Sequence, residues 1–227
     1  MTAKALLTFD FTGVDADRTF TGLIPTEHVG AVHRIDPLTA QFTRALSLEE
    51  QADVIVDGAP SPRLVLAFCS AATLATMVAV RLGERDGTAP GVILADPYLV
   101  SRARVGEEFA ALHRKLGGDP GTRVSELPEM ERHLTDRRPD LIAECGGEEV
   151  ADVADYLLDR YRSWLRFLSA SADAGTVVDA PPITVISDKP DPVAGLTTDP
   201  ATVTTIRCPT GRGAPELAAA VARLVNG

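Results

Sequence analysis

At residues 64–75 the chain reads Leu64-Val-Leu-Ala-Phe-Cys-Ser-Ala-Ala-Thr-Leu-Ala75. The run from Arg63 to Phe68 is apolar, as expected of a short strand that is covered on both faces. A helix is then predicted to begin near Ser70, because apolar residues continue at helical spacing through the following turns. The apolar stripe consists of Leu74, Ala75, Val78 and Leu82. This stretch therefore predicts a buried strand that leads directly into a buried helix.

Cys69 lies at the joint between the predicted strand and the predicted helix. Its neighbours Ala67, Ala71 and Ala72 are small, as a sharp turn with closely passing backbones requires. A helix N-terminus favours negative charge, so a cysteine at this joint is expected to have a lowered pKa and more thiolate. The N–H of Ser70 would then point toward a developing oxyanion. The alternative is a buried cysteine that serves only as a small apolar side chain.

An acidic residue follows the next predicted strand. A polar break from Arg81 to Pro90 separates the helix from Gly91-Val-Ile-Leu-Ala95, which predicts another buried strand. Asp96 comes directly after this strand, where it is well placed to act as a catalytic acid beside Cys69. The pentapeptide Ala67-Phe-Cys-Ser-Ala71 also has the small-x-nucleophile-x-small form of a nucleophile elbow.

The run from Leu64 to Tyr98 resembles the thioesterase branch of the α/β-hydrolases, which serves polyketide and nonribosomal peptide assembly lines. In that branch the elbow residue is the nucleophile, Ser or in some members Cys, and the Asp after the next strand is the acid of the triad. The resemblance therefore implies Cys69 as the nucleophile and Asp96 as the acid. It extends over about residues 4–98, because Ser47-Leu-Glu-Glu50 has the form of a capping box and predicts the helix that precedes the elbow strand.

The first predicted strand, from Lys4 to Phe11, is followed by the loop Thr12-Gly-Val-Asp-Ala-Asp17. In the thioesterases the loop after the first strand supplies the second N–H of the oxyanion hole. By position, the resemblance implies a donor at Thr12 in addition to the N–H of Ser70. A plain strand-to-helix turn without a catalytic donor is the alternative.

The character of the sequence changes between residues 101 and 175, where charged helical patterns replace apolar strand runs. Helices are predicted at 107–116, 127–134 and 148–168. The resemblance implies that this insertion is a lid over an acyl-binding groove. Its aromatic residues are expected to pack mainly as lid core, the alternative being that they line the groove. They are Tyr156, Tyr161, Trp164 and Phe167. His113 and His133 are expected to be solvated.

The sheet is predicted to resume with Pro182 to Ser187 and Thr202 to Arg207, before a final helix at 216–225. In the thioesterases the catalytic His normally lies between the last strand and the last helix. This chain has no His after His133, and Arg212 stands at about that position. An arginine stays protonated at neutral pH and cannot act as a general base, although it can hold a thiolate or bind a carboxylate or phosphate.

The overall composition excludes several classes of function. A formal net charge of −10 argues against nucleic acid as a partner. Three cysteines, at positions 69, 145 and 208, are too few and too scattered for a disulfide framework or a zinc site. The sequence shows no P-loop, dinucleotide-binding glycine motif, signal peptide, transmembrane run or lipidation motif. We therefore expect no cofactor, no bound metal, no membrane partner and a cytoplasmic location.

The patterns and the resemblance together imply a single α/β-hydrolase-like domain over residues 1–227, with a mostly parallel sheet and a helical lid insertion at 101–175. The implied substrates are acyl or peptidyl thioesters held on the phosphopantetheine of a carrier protein. The implied reaction is hydrolysis, or else acyl transfer or cyclisation, since a Cys thiolate forms an acyl-enzyme without a strong base. The alternative is a degenerate, non-catalytic thioesterase fold that binds a carrier protein or a partner enzyme.

Overall fold

The structure is a computed structural model, and it describes residues 5–11, 19–20, 22–43, 47–147, 149, 151–190, 195–209 and 215–227. The strands of the described residues are β1 (Leu6–Phe9), β2 (Val32–Ile35), β3 (Leu64–Phe68), β4 (Gly91–Ala95), β5 (Ile183–Ser187) and β6 (Val203–Arg207). They form one six-stranded sheet in the order β2-β1-β3-β4-β5-β6, and every neighbouring pair is parallel. The predicted parallel sheet is therefore confirmed.

Helices follow or join these strands. They are α1 (Ala40–Thr43), α2 (Leu48–Gly58), α3 (Ala72–Asp86), α4 (Arg102–Lys115), α5 (Leu127–Asp136), α6 (Arg138–Cys145), α7 (Ala151–Asp173) and α8 (Pro215–Asn226). One face of the sheet packs against α2, α3 and α7, and it includes Val65 and Leu94. The other face packs against α8 and includes Leu66 and Ile93. Burial on both faces explains why the central strands are continuous apolar runs in the sequence.

The helices that flank the elbow strand begin and end at residues with a clear local cause. The Ser47 hydroxyl accepts the N–H of Glu50, and the Glu50 carboxylate accepts the N–H of Ser47, each at 3.1 Å. This is the predicted capping box, and it starts α2. Helix α3 ends at Gly87, whose φ of 74° is left-handed and favours glycine. Helix α3 packs against β3, and α2 packs against α3.

A helical segment, α4 to α7, lies between β4 and β5 in the chain. Helix α4 begins at Arg102, earlier than predicted, because the Ser101 hydroxyl accepts the N–H of Arg104 and caps the helix. Helix α6 was not predicted. Helix α7 packs against α4, α5 and α6, and an ion pair of 2.9 Å between Arg160 and Asp36 ties it to the segment after β2. The helical segment is thereby attached to the sheet.

Most aromatic residues of α7 are buried, as expected. Tyr161, Trp164 and Phe167 are buried in the core, whereas Tyr156 is exposed. The expectation that His113 is solvated was wrong, because its ring is only 5% exposed and stacks on Phe109 at 5.4 Å. The charged neighbours of His113 in the sequence point away from it around the helix, so the local composition was misleading.

Candidate functional site

Cys69 lies at a sharp turn between β3 and α3. The chain leaves β3 at Phe68, makes a short 3₁₀ turn over Cys69–Ala71 and continues as α3. The backbone of Cys69 has a φ of 49°, which is left-handed and unfavourable for a residue with a β carbon. Its carbonyl accepts the N–H of Ala72, which starts the helix. Cys69 thus has the strained strand-to-helix position that a nucleophile elbow requires.

Asp96 lies beside Cys69 at the same edge of the sheet. Phe68 and Ala95 are register partners in neighbouring strands, and Cys69 and Asp96 follow them directly. Asp96 also has a left-handed backbone, with a φ of 46°. The N–H of Tyr98, two residues farther on, donates to the Cys69 carbonyl at 3.3 Å. The fold therefore brings together the two residues that the sequence singled out as nucleophile and acid.

The described partners of the Asp96 carboxylate come from the last residue of β5 and the segment that follows it. Lys189 Nζ lies 2.8 Å from Asp96 Oδ1, and the Ser187 hydroxyl donates to the same oxygen at 3.3 Å. Neither residue was singled out in the sequence. A signal existed, because both come at or just after the end of a buried strand, as Asp96 does. Asp96 is thus paired with a lysine, whereas the resemblance implied a histidine in this neighbourhood.

A buried carboxylate, Asp10, follows β1 at this edge and was also missed. Its side chain is 2% exposed, and it accepts the N–H of Phe20 at 2.9 Å and Arg34 Nε at 3.3 Å. Phe20 in turn packs against Phe68, with ring centroids 4.4 Å apart. Asp10 therefore fixes an aromatic ring against the residue that precedes Cys69.

Apolar side chains surround the thiol of Cys69. Cys69 is 8% exposed and belongs to the core cluster that contains Phe20, Phe68 and Cys208. Neither Cys69 nor Cys208 forms a disulfide. Burial raises the pKa of the Cys208 thiol, and the nearby Glu216 carboxylate raises it further.

A cleft of about 490 Å³ opens beside Asp96. Its lining is polar and carries both signs of charge, and it comprises Asp96, Tyr98, Leu99, Ser101, Arg104, Glu107 and Lys189. Burial is the main cause that raises the pKa of Tyr98, and a negative charge at Cys69 or Glu108 would add to this. The guanidinium of Arg104 lies 5.9 Å from the centre of the Tyr98 ring. The cleft can therefore hold a polar ligand next to Asp96.

Two predicted site residues lie outside the described residues. They are Thr12, the second oxyanion-hole donor, and Arg212, at the position of the base. Ser70 is described, and it is 1% exposed within the turn that follows Cys69. Among the described residues, no three His, Cys, Asp or Glu side chains are arranged to hold a metal ion. No helix in the described part of the chain is long and apolar enough to cross a bilayer.

Comparison with solved structures shows the same fold in thioesterase domains. The NocB thioesterase domain, solved as a covalent complex with a fluorophosphonate nocardicin G analogue, superposes with a TM-score of 0.60 at 14% identity, covering 100% of this chain and 96% of NocB. The RedJ thioesterase of prodiginine biosynthesis from Streptomyces coelicolor gives a TM-score of 0.53 at 17% identity, covering 98% of this chain and 85% of RedJ. The Vlm2 thioesterase domain, bound with a dodecadepsipeptide, gives a TM-score of 0.53 at 17% identity, covering 98% of this chain and 95% of Vlm2.

Comparison of sequences, unlike comparison of structures, finds no match. No protein-family profile matches the chain, and no curated protein sequence matches it. At identities of 14–17%, the structural likeness concerns the fold. The chain therefore has the α/β-hydrolase fold of these thioesterase domains, with a parallel sheet flanked by helices.

Proposed function

We propose that this protein acts on acyl or peptidyl thioesters carried by a carrier protein, with Cys69 as the nucleophile. The observation that carries the proposal is the left-handed backbone of Cys69 at the β3–α3 turn, directly beside Asp96. Strain at a non-glycine residue costs about 1–3 kcal/mol, and it tends to be kept at functional sites. A cysteine that served only as apolar filling would not need this backbone.

The proposed reaction begins with attack of the Cys69 thiolate on the thioester carbonyl carbon. The tetrahedral oxyanion then collapses, the carbon–sulfur bond to the pantetheine breaks, and the leaving thiolate takes up a proton. The acyl-enzyme passes its acyl group either to water or to a substrate amine or hydroxyl, which loses a proton as the Cys69 thiolate leaves. The absence of a histidine after His133 favours the second route, because no imidazole from that part of the chain activates water.

The remaining roles follow from the same proposal. The N–H of Ser70 and a second N–H at Thr12 hold the oxyanion. Asp96 balances charge and orients its partners, of which Lys189 is the closest cation described. Arg212 holds the thiolate or binds an anionic group of the substrate, since its guanidinium cannot act as a base.

A carrier-protein partner is supported by the kind of protein that shares the fold. NocB, RedJ and Vlm2 are thioesterases, and one further neighbour is a four-domain nonribosomal peptide synthetase. We propose that residues 1–227 act as one domain and that the helical insertion at 101–175 covers the acyl group. We also propose a cytoplasmic location.

Intact-mass measurement tests the proposal directly. The protein is incubated with a carrier protein that bears an acyl-phosphopantetheine thioester, and the masses of both proteins are followed. We expect an adduct of the acyl mass on the wild type and none on Cys69→Ala. A matched control is Cys208→Ala, which removes a thiol of similar burial and should leave the adduct unchanged. An adduct that persists in Cys69→Ala, or release of acid without Cys69, would contradict the assignment of the nucleophile.

A non-catalytic binding module is the second candidate, and the lysine on Asp96 favours it. With Lys189 Nζ at 2.8 Å, the Asp96 carboxylate is already engaged in an ion pair. In this case the protein would bind the loaded carrier protein without forming an adduct. Binding of equal strength to the wild type and to Cys69→Ala, with no adduct on either, would favour the module over the enzyme.

A further inference from the structure

A second groove borders the cleft beside Asp96. It has a volume of about 570 Å³, and Glu107 lines both cavities, so the two meet at this residue. The groove is lined by Ala103, Gly106, Glu107, Ala110, Arg114 and the 123–125 segment. It therefore runs along α4, away from Asp96 and toward Arg114.

The floor of the groove consists of small residues. Ala103, Gly106 and Ala110 are spaced by three and four positions, so they lie on one face of α4. The segment after α4 passes above this face, and the Val124 carbonyl oxygen would lie 3.8 Å from a β carbon built on Gly106. Larger side chains at these positions would fill the groove.

Two arginines line the groove at its far end, and no carboxylate of the described residues pairs with either. Arg114 forms no ion pair there, and Arg123 donates only to the carbonyls of Pro120 and Thr122, at 2.9 and 3.2 Å. Other arginines of the helical segment do have carboxylate partners, such as Arg132 with Glu129 and Asp136. In a chain of net charge −10, two exposed guanidinium groups without carboxylates form a local site for an anion.

The charges change along the groove. At the junction with the cleft, the Glu107 carboxylate pairs with Arg104 at 3.2 Å, and Arg104 also pairs with Glu108 at 2.6 Å, so this end of the groove has no described cation to spare for an anion. The arginine end lies about 10 Å from Glu107 and about 20 Å from Ser101, which lines the cleft, since Arg114 follows them by 7 and 13 positions at a rise of about 1.5 Å per residue. A ligand that fits this arrangement is uncharged along most of its length and has a phosphate at one end.

We infer that the groove binds a phosphopantetheine arm, with its phosphate on Arg114 and Arg123 and its thioester end in the cleft beside Asp96. The inference rests on the proposed function, because it identifies how the carrier-bound substrate of that same site is held. The extended arm is comparable in length with the span from Ser101 in the cleft to Arg114 in the groove, and its middle part consists of neutral amides. The phosphate supplies the negative charge that the two arginines lack.

The test measures binding to the Cys69→Ala protein, so that it does not depend on the chemistry of the thiol. The probes are 4′-phosphopantetheine, pantetheine without the phosphate, and inorganic phosphate, titrated by calorimetry at low ionic strength. We expect 4′-phosphopantetheine to bind about tenfold more tightly than pantetheine. Arg114→Gln combined with Arg123→Gln should abolish this difference, whereas the carboxylate-paired control Arg132→Gln should preserve it.

A substitution that fills the groove distinguishes a site for the whole arm from a site for the anion alone. Ala110→Leu should weaken the binding of both pantetheine compounds and leave the affinity for inorganic phosphate unchanged. Equal affinity for the two pantetheine compounds, a preference that survives the double arginine substitution, or tight arm binding to Ala110→Leu would each overturn the inference. So would self-association of the protein that the arginine substitutions reduce, because the groove would then hold a second copy. Failure of acyl transfer to Cys69 would contradict the proposed function and leave these titrations unaffected.

Discussion

Cys69 and Asp96 leave neighbouring strands in register, and both have a left-handed backbone, with φ values of 49° and 46°. Their peptide segments are also joined, since the Tyr98 N–H donates to the Cys69 carbonyl. Two strained non-glycine residues in direct register are costly, at about 1–3 kcal/mol each. The parallel sheet and α3 are buried enough to impose this geometry, and it turns both residues out of their strands at one edge.

The strain at Cys69 predicts an unusual response to glycine. We expect Cys69→Gly to be about 1 kcal/mol more stable than Cys69→Ala, because only glycine has no β carbon to clash at this φ. Ala71→Gly is the matched control, since Ala71 is fully buried two residues later with a φ of −76°. At position 71, glycine should lower the free energy of unfolding by about 0.5–1 kcal/mol. Urea unfolding of the variants measures the difference, and equal stability of the two Cys69 variants would refute the strain.

The reactivity of Cys69 can be compared with that of Cys208 at matched accessibility. The two residues are 8% and 7% exposed, so their labelling rates compare thiolate content more than access. Burial raises the pKa of Cys208, whereas Cys69 lies at the N-terminus of α3, which favours the thiolate. We expect iodoacetamide at neutral pH to label Cys69 faster, as measured by peptide mapping. Faster labelling of Cys208 would indicate that Cys69 is an inert core residue.

The elbow and its strands could be predicted from the sequence because burial on both faces leaves continuous apolar runs. Gly91–Ala95 was predicted with its observed limits, and the register of β3 and β4 then places Cys69 beside Asp96. The position of Lys189 just after a buried strand was a signal for this edge of the sheet, but its pairing with Asp96 depends on the packing of β5 against β4 across an intervening helical segment, which the sequence pattern does not show. The burial of His113 was missed for a related reason, since it depends on how α4 packs against its neighbours.

His113 should make the helical segment sensitive to acid. Burial lowers the pKa of His113, and the nearby His133 lowers it further. The neutral ring is therefore favoured in the folded state. The contribution of His113 to the free energy of unfolding is fully present at pH values above its unfolded pKa of about 6.5. It is lost as the pH falls below that value, because the unfolded chain binds the proton more readily.

The measurement for His113 is the urea midpoint between about pH 7.5 and pH 5. We expect the midpoint of the wild type to fall over this range and that of His113→Gln to fall less, even if it starts lower. His33→Gln provides the control, since His33 lies in β2, away from the helical segment. An identical pH dependence in the wild type and His113→Gln would show that other groups cause the acid sensitivity.

The last prediction concerns the base. A general base contributes about 10²–10⁴-fold to such a reaction, and Arg212, at the position that the resemblance assigns to the histidine, cannot supply it. We therefore expect slow thioester hydrolysis by the wild type. Arg212→His alone should raise it only modestly, because Lys189 already occupies an oxygen of Asp96 at 2.8 Å. Removing the lysine takes away the competing cation and leaves the Ser187 hydroxyl on that oxygen, so that the carboxylate can orient the new imidazole.

The double variant Arg212→His with Lys189→Ala should therefore hydrolyse the carrier-bound thioester faster than either single variant, by about 10-fold or more over Arg212→His. Lys189→Ala alone should give no such gain, since it adds no base. Acyl-enzyme lifetime, followed by intact mass, is the direct measurement, because the base acts on the water that attacks this intermediate. If Arg212→His alone reaches the full rate, Lys189 does not compete for Asp96. If the double variant forms the acyl-enzyme but hydrolyses it no faster than the wild type, Asp96 and position 212 do not form a catalytic pair.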